Sequence, residues 1–285
     1  MRAYEAPAKL NLSLHVMPPA ESGYHPLASM VQTLEWVDRL QVERSEEGAD
    51  SLEVTGGDLG VEDNLVLKAV QTARHDFTVP FLRMILHKDL PVAAGLGGGS
   101  SDAAAALVAA KDLVGWSGHL EGIASGVGAD VPLFLTGGTL MMSGFGEEIE
   151  RLRPLAGFTV AVVVPEFGLR TEEVYRTWDE LEGPEGEPVA DEHLPPALRG
   201  GMPMRNDLLP AALEVEPRLG DFMAEVRSIW NAPVCLTGSG SACFGYFASA
   251  DEASDAAAAA SHLCSVARGI VLRDHGVARE TKRVQ

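Results

Sequence analysis

The stretch PVAAGLGGGSSDAAAALVAAK, residues 91–111, decides how this chain is read. Four glycines, Gly95, Gly97, Gly98 and Gly99, stand directly before Ser100, Ser101 and Asp102, and the alanine-rich run that follows predicts a helix. Glycines ahead of a helix let the backbone approach a bulky anion, because no Cβ stands in the way. The first turn of the helix adds unpaired N–H groups and the positive end of its dipole. Together these form a cradle for phosphate and point to a phosphorylated ligand, a nucleotide by class. A hinge would use the glycines but has no use for hydroxyls at a helix start. The spacing predicts Ser100 or Ser101 as the helix N-cap, with either hydroxyl also in reach of a phosphate or its Mg²⁺. Asp102 suits the dipole as well as a place near the ligand.

Familiar nucleotide motifs are excluded by inspection. There is no GxxxxGK[ST] loop, and the dinucleotide fingerprint fails because Ser100 stands where the third glycine belongs. The HRD and DFG pair of protein kinases is absent as well. The balance of 22 Lys and Arg against 41 Asp and Glu gives a net charge of −19 in 285 residues. So acidic a chain disfavours nucleic acid and membrane surfaces, which need basic patches. No protein partner is implied. Phosphate must then be held by backbone N–H groups, a helix terminus and a few placed cations.

Three cysteines, Cys235, Cys243 and Cys264, make an odd set without a CxxC pair. That argues against a disulfide framework or a zinc site and is consistent with a reducing, cytoplasmic compartment. The histidines show no metal-ligand spacing, and no metal site of the chain's own is expected. The N-terminus has no cleavable signal pattern, and no apolar run approaches the ~20 residues needed to span a bilayer.

Alternation of Leu10, Leu12, Leu14 and Val16 with polar residues predicts a strand just after Lys9. Further strands are expected near 38–44, 50–55 and 81–87, helices over 62–74 and 119–126, and a hairpin after Gly137. The run FTVAVVVP, residues 158–165, reads as a buried strand, followed by a helix over 171–181. The acidic, Pro- and Gly-rich stretch 179–203 reads as an exposed loop. Helical segments between 207 and 230, a strand–glycine–strand unit over 233–247, a helix over 251–265 and a strand over 268–273 complete an α+β pattern. A boundary is expected at 153/154, giving units 1–153 and 154–285.

Three ordered segments resemble the GHMP kinases, the family of galactokinase, homoserine kinase, mevalonate kinase and phosphomevalonate kinase. The glycine stretch is similar to the family's second motif. APAKLNLSL, residues 6–14, resembles the first motif, and LTGSGSACFG, residues 236–245, the third. Gly23-Tyr24-His25 after PAKLNL, and VGADVPLFLTGG over 127–138, resemble the branch of the family that acts on 4-diphosphocytidyl-2-C-methyl-D-erythritol in the non-mevalonate isoprenoid route. The resemblance implies two domains, the first ribosomal-S5-like and the second ferredoxin-like, with the active site in the cleft between them. It implies ATP-dependent phosphorylation of an alcohol, the 2-hydroxyl of the methylerythritol unit, with Mg²⁺ carried by ATP. Other acceptors within the family, or a catalytically silent relative that binds nucleotide and metabolite to regulate a partner, are the alternatives.

Residue by residue, the resemblance implies Asp130 as general base toward the acceptor hydroxyl and Lys9 as the neighbouring charge stabiliser. ATP would be held by Pro91, Ala94, Gly95 and Leu96, then by Gly97, Gly98, Gly99, Ser100 and Ser101. Asn11, Tyr24, His25 and Tyr175 would contact substrate, the two tyrosines as faces for a cytosine. Gly238, Ser239 and Gly240 would border the phosphates. In RNDLLP, residues 205–210, Asp207 reads first as a helix N-cap. Residues 64–67 are an expected adenine region.

Overall fold

The computed structural model describes residues 1–21, 23–56 and 64–280. Its first sheet is built from β1 (Arg2–Asn11), β2 (His15–Val16), β3 (Leu27–Arg44), β4 (Ser51–Thr55), β5 (Leu82–His87), β6 (Thr139–Ser143) and β7 (Glu148–Arg151). Strands β1 and β5 flank β3 as antiparallel neighbours, and β4 joins β5 in parallel. Four helices, α1 (Leu65–Ala73), α2 (Gly98–Val114), α3 (Glu121–Val127) and α4 (Val131–Thr136), belong to this half. They share one core with the sheet, in which Leu40, Val42, Met84 and Leu86 meet Val66, Val70, Leu107 and Phe134.

The second sheet holds β8 (Thr159–Val164), β9 (Cys235–Leu236), β10 (Cys243–Phe247) and β11 (Val266–Ile270) in the order β11-β8-β10-β9, all antiparallel. Helices α5 (Thr171–Glu180), α6 (Leu209–Val215), α7 (Arg218–Trp230) and α8 (Ala250–Ala260) pack with it around Val163, Trp178, Phe222 and Val226. A third cluster joins the halves, with Leu10, Leu34 and Leu96 against Val160, Val162 and Phe244. The expected division at 153/154 falls in the connection between β7 and β8. A last strand, β12 (Ala278–Arg279), returns to the first sheet and pairs with β1.

Several expectations are corrected. The strand expected at 38–44 is the end of an 18-residue strand. Its middle, Val31 to Leu34, is buried at four successive positions, so the alternation that marks a one-sided strand is missing there. The stretch 179–203 is not simply exposed: Leu194 and Leu198 enter the third cluster. Of the helix expected over 62–74, residues 62 and 63 lie outside the described residues. The described helix begins at Leu65, and the Asn64 side chain caps it by accepting from the Val66 N–H at 3.0 Å.

Two local features position the site. The β1–β3 register shifts between Pro7 and Lys9, where proline offers no N–H to the ladder. Such a bulge re-aims the side chain that follows it. Helix α2 lies tight in the core because Ala103, Ala104, Ala105 and Ala106 are all buried and small. It starts at Gly98, with left-handed Gly97 as its N-cap and no side-chain cap. Ser100 and Ser101 are therefore first-turn residues and not the cap, because glycine makes the sharp entry with its backbone alone.

Candidate active site

A cavity of about 390 Å³ opens between the two halves. Most of the expected nucleotide segment lines it: Pro91, Ala94, Gly95, Leu96, Gly97, Gly98, Gly99 and Ser100. Lys9, Asn11, Asp130, Tyr175, Gly238 and Ser239 line the same space. Residues spread from position 9 to 239 thus converge on one volume.

The glycines are demanded by space. Gly95 has φ +77°, and a Cβ there would lie 2.4 Å from the Thr237 carbonyl oxygen. Gly97 has φ +73°, and its Cβ would meet Phe134 Cζ at 2.7 Å and Lys9 Cγ at 3.1 Å. The Lys9 N–H donates to the Leu96 carbonyl at 2.9 Å, and the Ala242 N–H to the Ala94 carbonyl at 3.1 Å. The loop is thereby fastened between the first strand and the second glycine turn. A loop with no room for a Cβ at Gly95 or Gly97, at the start of a 17-residue helix, fits the phosphates of ATP.

Lys9 is 4% exposed, and its Nζ donates to Asn11 Oδ1. Asn11 is held in turn, its Nδ2 donating to Ser29 Oγ at 2.7 Å and its backbone N–H to Thr237 Oγ1 at 2.9 Å. Burial pulls the Lys9 ammonium below its ordinary value, and the Asp130 carboxylate opposes that pull. Asp130 occupies the N-cap position of α4 but makes no side-chain cap bond, so its half-buried carboxylate is left to the cavity. Burial, and then the charge of Asp130, pushes the Tyr175 phenol up to about 12.

Other expected residues fall elsewhere. Tyr24 is 72% exposed and does not line the cavity. His25 makes the ring contacts instead, 5.2 Å from Tyr175 and 5.4 Å from Trp178, with Nε2 2.8 Å from Asp179 Oδ1. Ser101 is fully buried, and its Oγ has no hydrogen-bond partner among the described residues. Gly240 is turned against Leu169 and Leu236. Asp207 is no helix cap, since α6 starts two residues later behind Leu208.

Sequence reasoning missed Lys88 and Thr171, which also line the cavity. Thr171 opens α5, and its Oγ1 lies 2.8 Å from Ser239 Oγ. Lys88 is a lone basic residue just ahead of the glycine stretch, and that was its only signal. Its buried ammonium bonds Asp38 and, at 2.7 Å, Asp102. Burial works against the Lys88 charge, but the two carboxylates outweigh it and hold the ammonium above its ordinary value. Asp102 therefore faces Lys88 beneath the loop. Among the described residues no group of three or more His, Cys, Asp or Glu is arranged to hold a metal ion. Nor is any helix among them long and apolar enough to cross a membrane.

Residues 64–138 match the family model of the GHMP kinases N terminal domain. The chain is 38% identical over 272 residues to 4-diphosphocytidyl-2-C-methyl-D-erythritol kinase of Rhizobium leguminosarum bv. trifolii, covering 90% of this chain and 89% of the relative. It is 37% identical to the enzyme of that name from Caulobacter sp., with 87% and 89% covered. A crystal structure of 4-(cytidine 5'-diphospho)-2C-methyl-D-erythritol kinase superposes with a TM-score of 0.75 at 32% identity, over 95% of this chain and 98% of that one. Homoserine kinase from Cytophaga hutchinsonii shares the fold at 15% identity, with a TM-score of 0.69 over 98% and 97% of the two chains. A glycine cradle, a buried lysine and an uncapped aspartate in one cleft, together with relatives that align nearly end to end, place this chain in the 4-diphosphocytidyl-2-C-methyl-D-erythritol kinase family of the GHMP kinases.

Proposed function

We propose that this phosphotransferase moves the γ-phosphoryl group of ATP to the 2-hydroxyl of 4-diphosphocytidyl-2-C-methyl-D-erythritol, within isoprenoid precursor synthesis. The observation that carries the reading is the shared cavity of Lys9, Asp130 and the glycine loop. ATP, when bound, supplies the phosphoryl group, brings Mg²⁺ on its phosphates and leaves as ADP.

The chain's own residues would position reactants, neutralise charge and accept a proton, which is what phosphoryl transfer asks of a protein. Asp130 takes the acceptor's hydroxyl proton, so that the hydroxyl oxygen is free to bond phosphorus. The Lys9 ammonium lowers the cost of the developing alkoxide. Asn11 fixes the Lys9 ammonium from the same strand face. The N–H groups of the loop over 95–99 and the first turn of α2 receive phosphate oxygens, with Pro91, Ala94 and Ser100 at their edge. Gly238 and Ser239 close the phosphate side. His25 and Tyr175 offer adjoining rings for the cytosine, and Tyr24, next to His25 in the chain, would add a further aromatic face. The unit 1–153 supplies cradle, lysine and base; the unit 154–285 supplies Tyr175 and the second glycine turn.

ADP release with ATP, Mg²⁺ and a panel of 4-diphosphocytidyl-2-C-methyl-D-erythritol, mevalonate, homoserine and galactose tests this. Turnover on the cytidyl substrate is expected. Turnover confined to one of the other three would redirect the assignment to another GHMP kinase activity, and none on any would favour a silent relative.

A further inference from the structure

Asn206 and Asp207, adjacent in the chain, send their side chains to different partners. Buried Asn206 donates through Nδ2 to the carbonyl oxygens of Leu236, at 2.9 Å, and Gly238, at 2.8 Å. Its Oδ1 accepts from the Leu208 N–H at 2.9 Å. Asp207 accepts from the Val16 N–H at 3.0 Å and the Gly186 N–H at 2.9 Å. Its own N–H donates to the Leu14 carbonyl at 2.9 Å, and the Leu14 N–H to the Arg205 carbonyl at 2.8 Å. One dipeptide thus keys both the end of the Lys9 segment and the second glycine turn to a common point.

That turn presses on the reacting centre. A Cβ on Gly238 would lie 3.4 Å from Lys9 Nζ and 3.4 Å from Asn11 Oδ1. Two of the carbonyls that fix the turn, one of them Gly238's own, are held by the Asn206 amide. Without it, both lose a buried donor and the turn loses its reference to the strand that carries Lys9.

We infer that Asn206 is a positioning residue for phosphoryl transfer, setting the distance between the Gly238 turn and the Lys9–Asn11 pair without touching substrate. The inference rests on the catalytic reading of Lys9 above. Misplacement of reacting groups by about 1 Å costs as much as 100-fold in rate, although binding contacts survive.

The test is steady-state kinetics on the full chain with ATP, Mg²⁺ and the cytidyl substrate, comparing the unmodified protein with Asn206→Ala and Asn206→Asp. The aspartate keeps the acceptor toward Leu208 but turns an oxygen onto the two carbonyls. Both variants are expected to fold, to lose about 10- to 100-fold in kcat, and to keep the KM values of both substrates close to those of the unmodified chain. Unchanged kcat, a loss that appears in KM alone, or failure of both variants to fold would each overturn the inference. Absence of turnover in the unmodified chain would overturn the kinase reading, and this inference with it.

Discussion

Lys9 and Asn11 turn to one face of β1, and the ammonium of the first donates to the amide oxygen of the second. Asn11 is itself anchored through Ser29 and Thr237, so the lysine is held at a fixed point although its stem is flexible. Lys9→Met keeps most of the apolar stem and removes the charge. It is expected to lower kcat by about 100- to 1,000-fold, the cost of removing one preorganised donor from a transition state. Measured kcat within a few-fold of the unmodified chain would show that the ammonium is not part of the reacting centre.

The glycines of the cradle are not equivalent. Gly95→Ala places a methyl group 2.4 Å from a backbone oxygen at φ +77°, and neither partner can move freely. Overpacking and the left-handed conformation together are expected to cost about 2–5 kcal/mol. Gly99→Ala meets nothing closer among the described residues than Leu65 Cδ1 at 3.7 Å and sits inside helix α2, where alanine is favoured by roughly 1 kcal/mol. Thermal unfolding should therefore show Tm falling in the first variant and holding or rising in the second. The reverse order would mean that the loop is not packed as described.

Asp102 provides a pH signature. Burial pushes its carboxyl up to about 7 from an ordinary value of 3.8, against the pull of Lys88. A group whose folded value is raised contributes stability below its unfolded value and loses it as the pH climbs through the folded value. Asp102 should thus cost stability progressively as the pH rises from 3.8 through about 7. Asp102→Asn should flatten the stability profile over that window and leave Tm at pH 8 no lower than that of the unmodified chain. A variant markedly less stable at pH 8 would show that the Lys88–Asp102 ion pair outweighs the desolvation of the carboxylate.

The aromatic pair on the acceptor side divides by contact. Tyr175 lines the cavity and meets His25, whereas Tyr24 stands 72% exposed outside the lining. Stacking on a base contributes roughly 1–3 kcal/mol. Tyr175→Ala should raise the KM for the cytidyl substrate accordingly and leave the KM for ATP unchanged, with Tyr24→Ala producing the smaller rise. An unchanged KM for the cytidyl substrate in Tyr175→Ala would remove that residue from the base site.

Much of this was legible in the sequence, and the failures have physical causes. The glycine stretch was readable because a left-handed turn into a helix leaves few choices of residue. Alternation placed a strand just after Lys9, but Lys9 and Asn11 close β1, which runs from Arg2 and is buried at every position from Ala6 onward. The first half of β3 showed no alternation either, since burial on both faces erases the period of two. Strand β12 is two residues long and is held in place by β1, so local pattern carried no trace of it. Tyr24 and His25 were read as a pair, yet only the fold shows that the imidazole, anchored by Asp179, makes the contact with Tyr175. Asp207 resembled a helix cap because an aspartate before an apolar run ordinarily is one. Its partners Val16 and Gly186 come from distant parts of the chain, and no local signal announces them.

The central claim is that Asp130, uncapped and facing Lys9 across the cavity, accepts the proton of the acceptor hydroxyl. Asp130→Asn keeps the shape and removes the base. Measured together, ADP release with the cytidyl substrate and the Kd for ATP should show turnover reduced by about 100-fold or more and nucleotide binding nearly unchanged. Full turnover in Asp130→Asn would contradict the account.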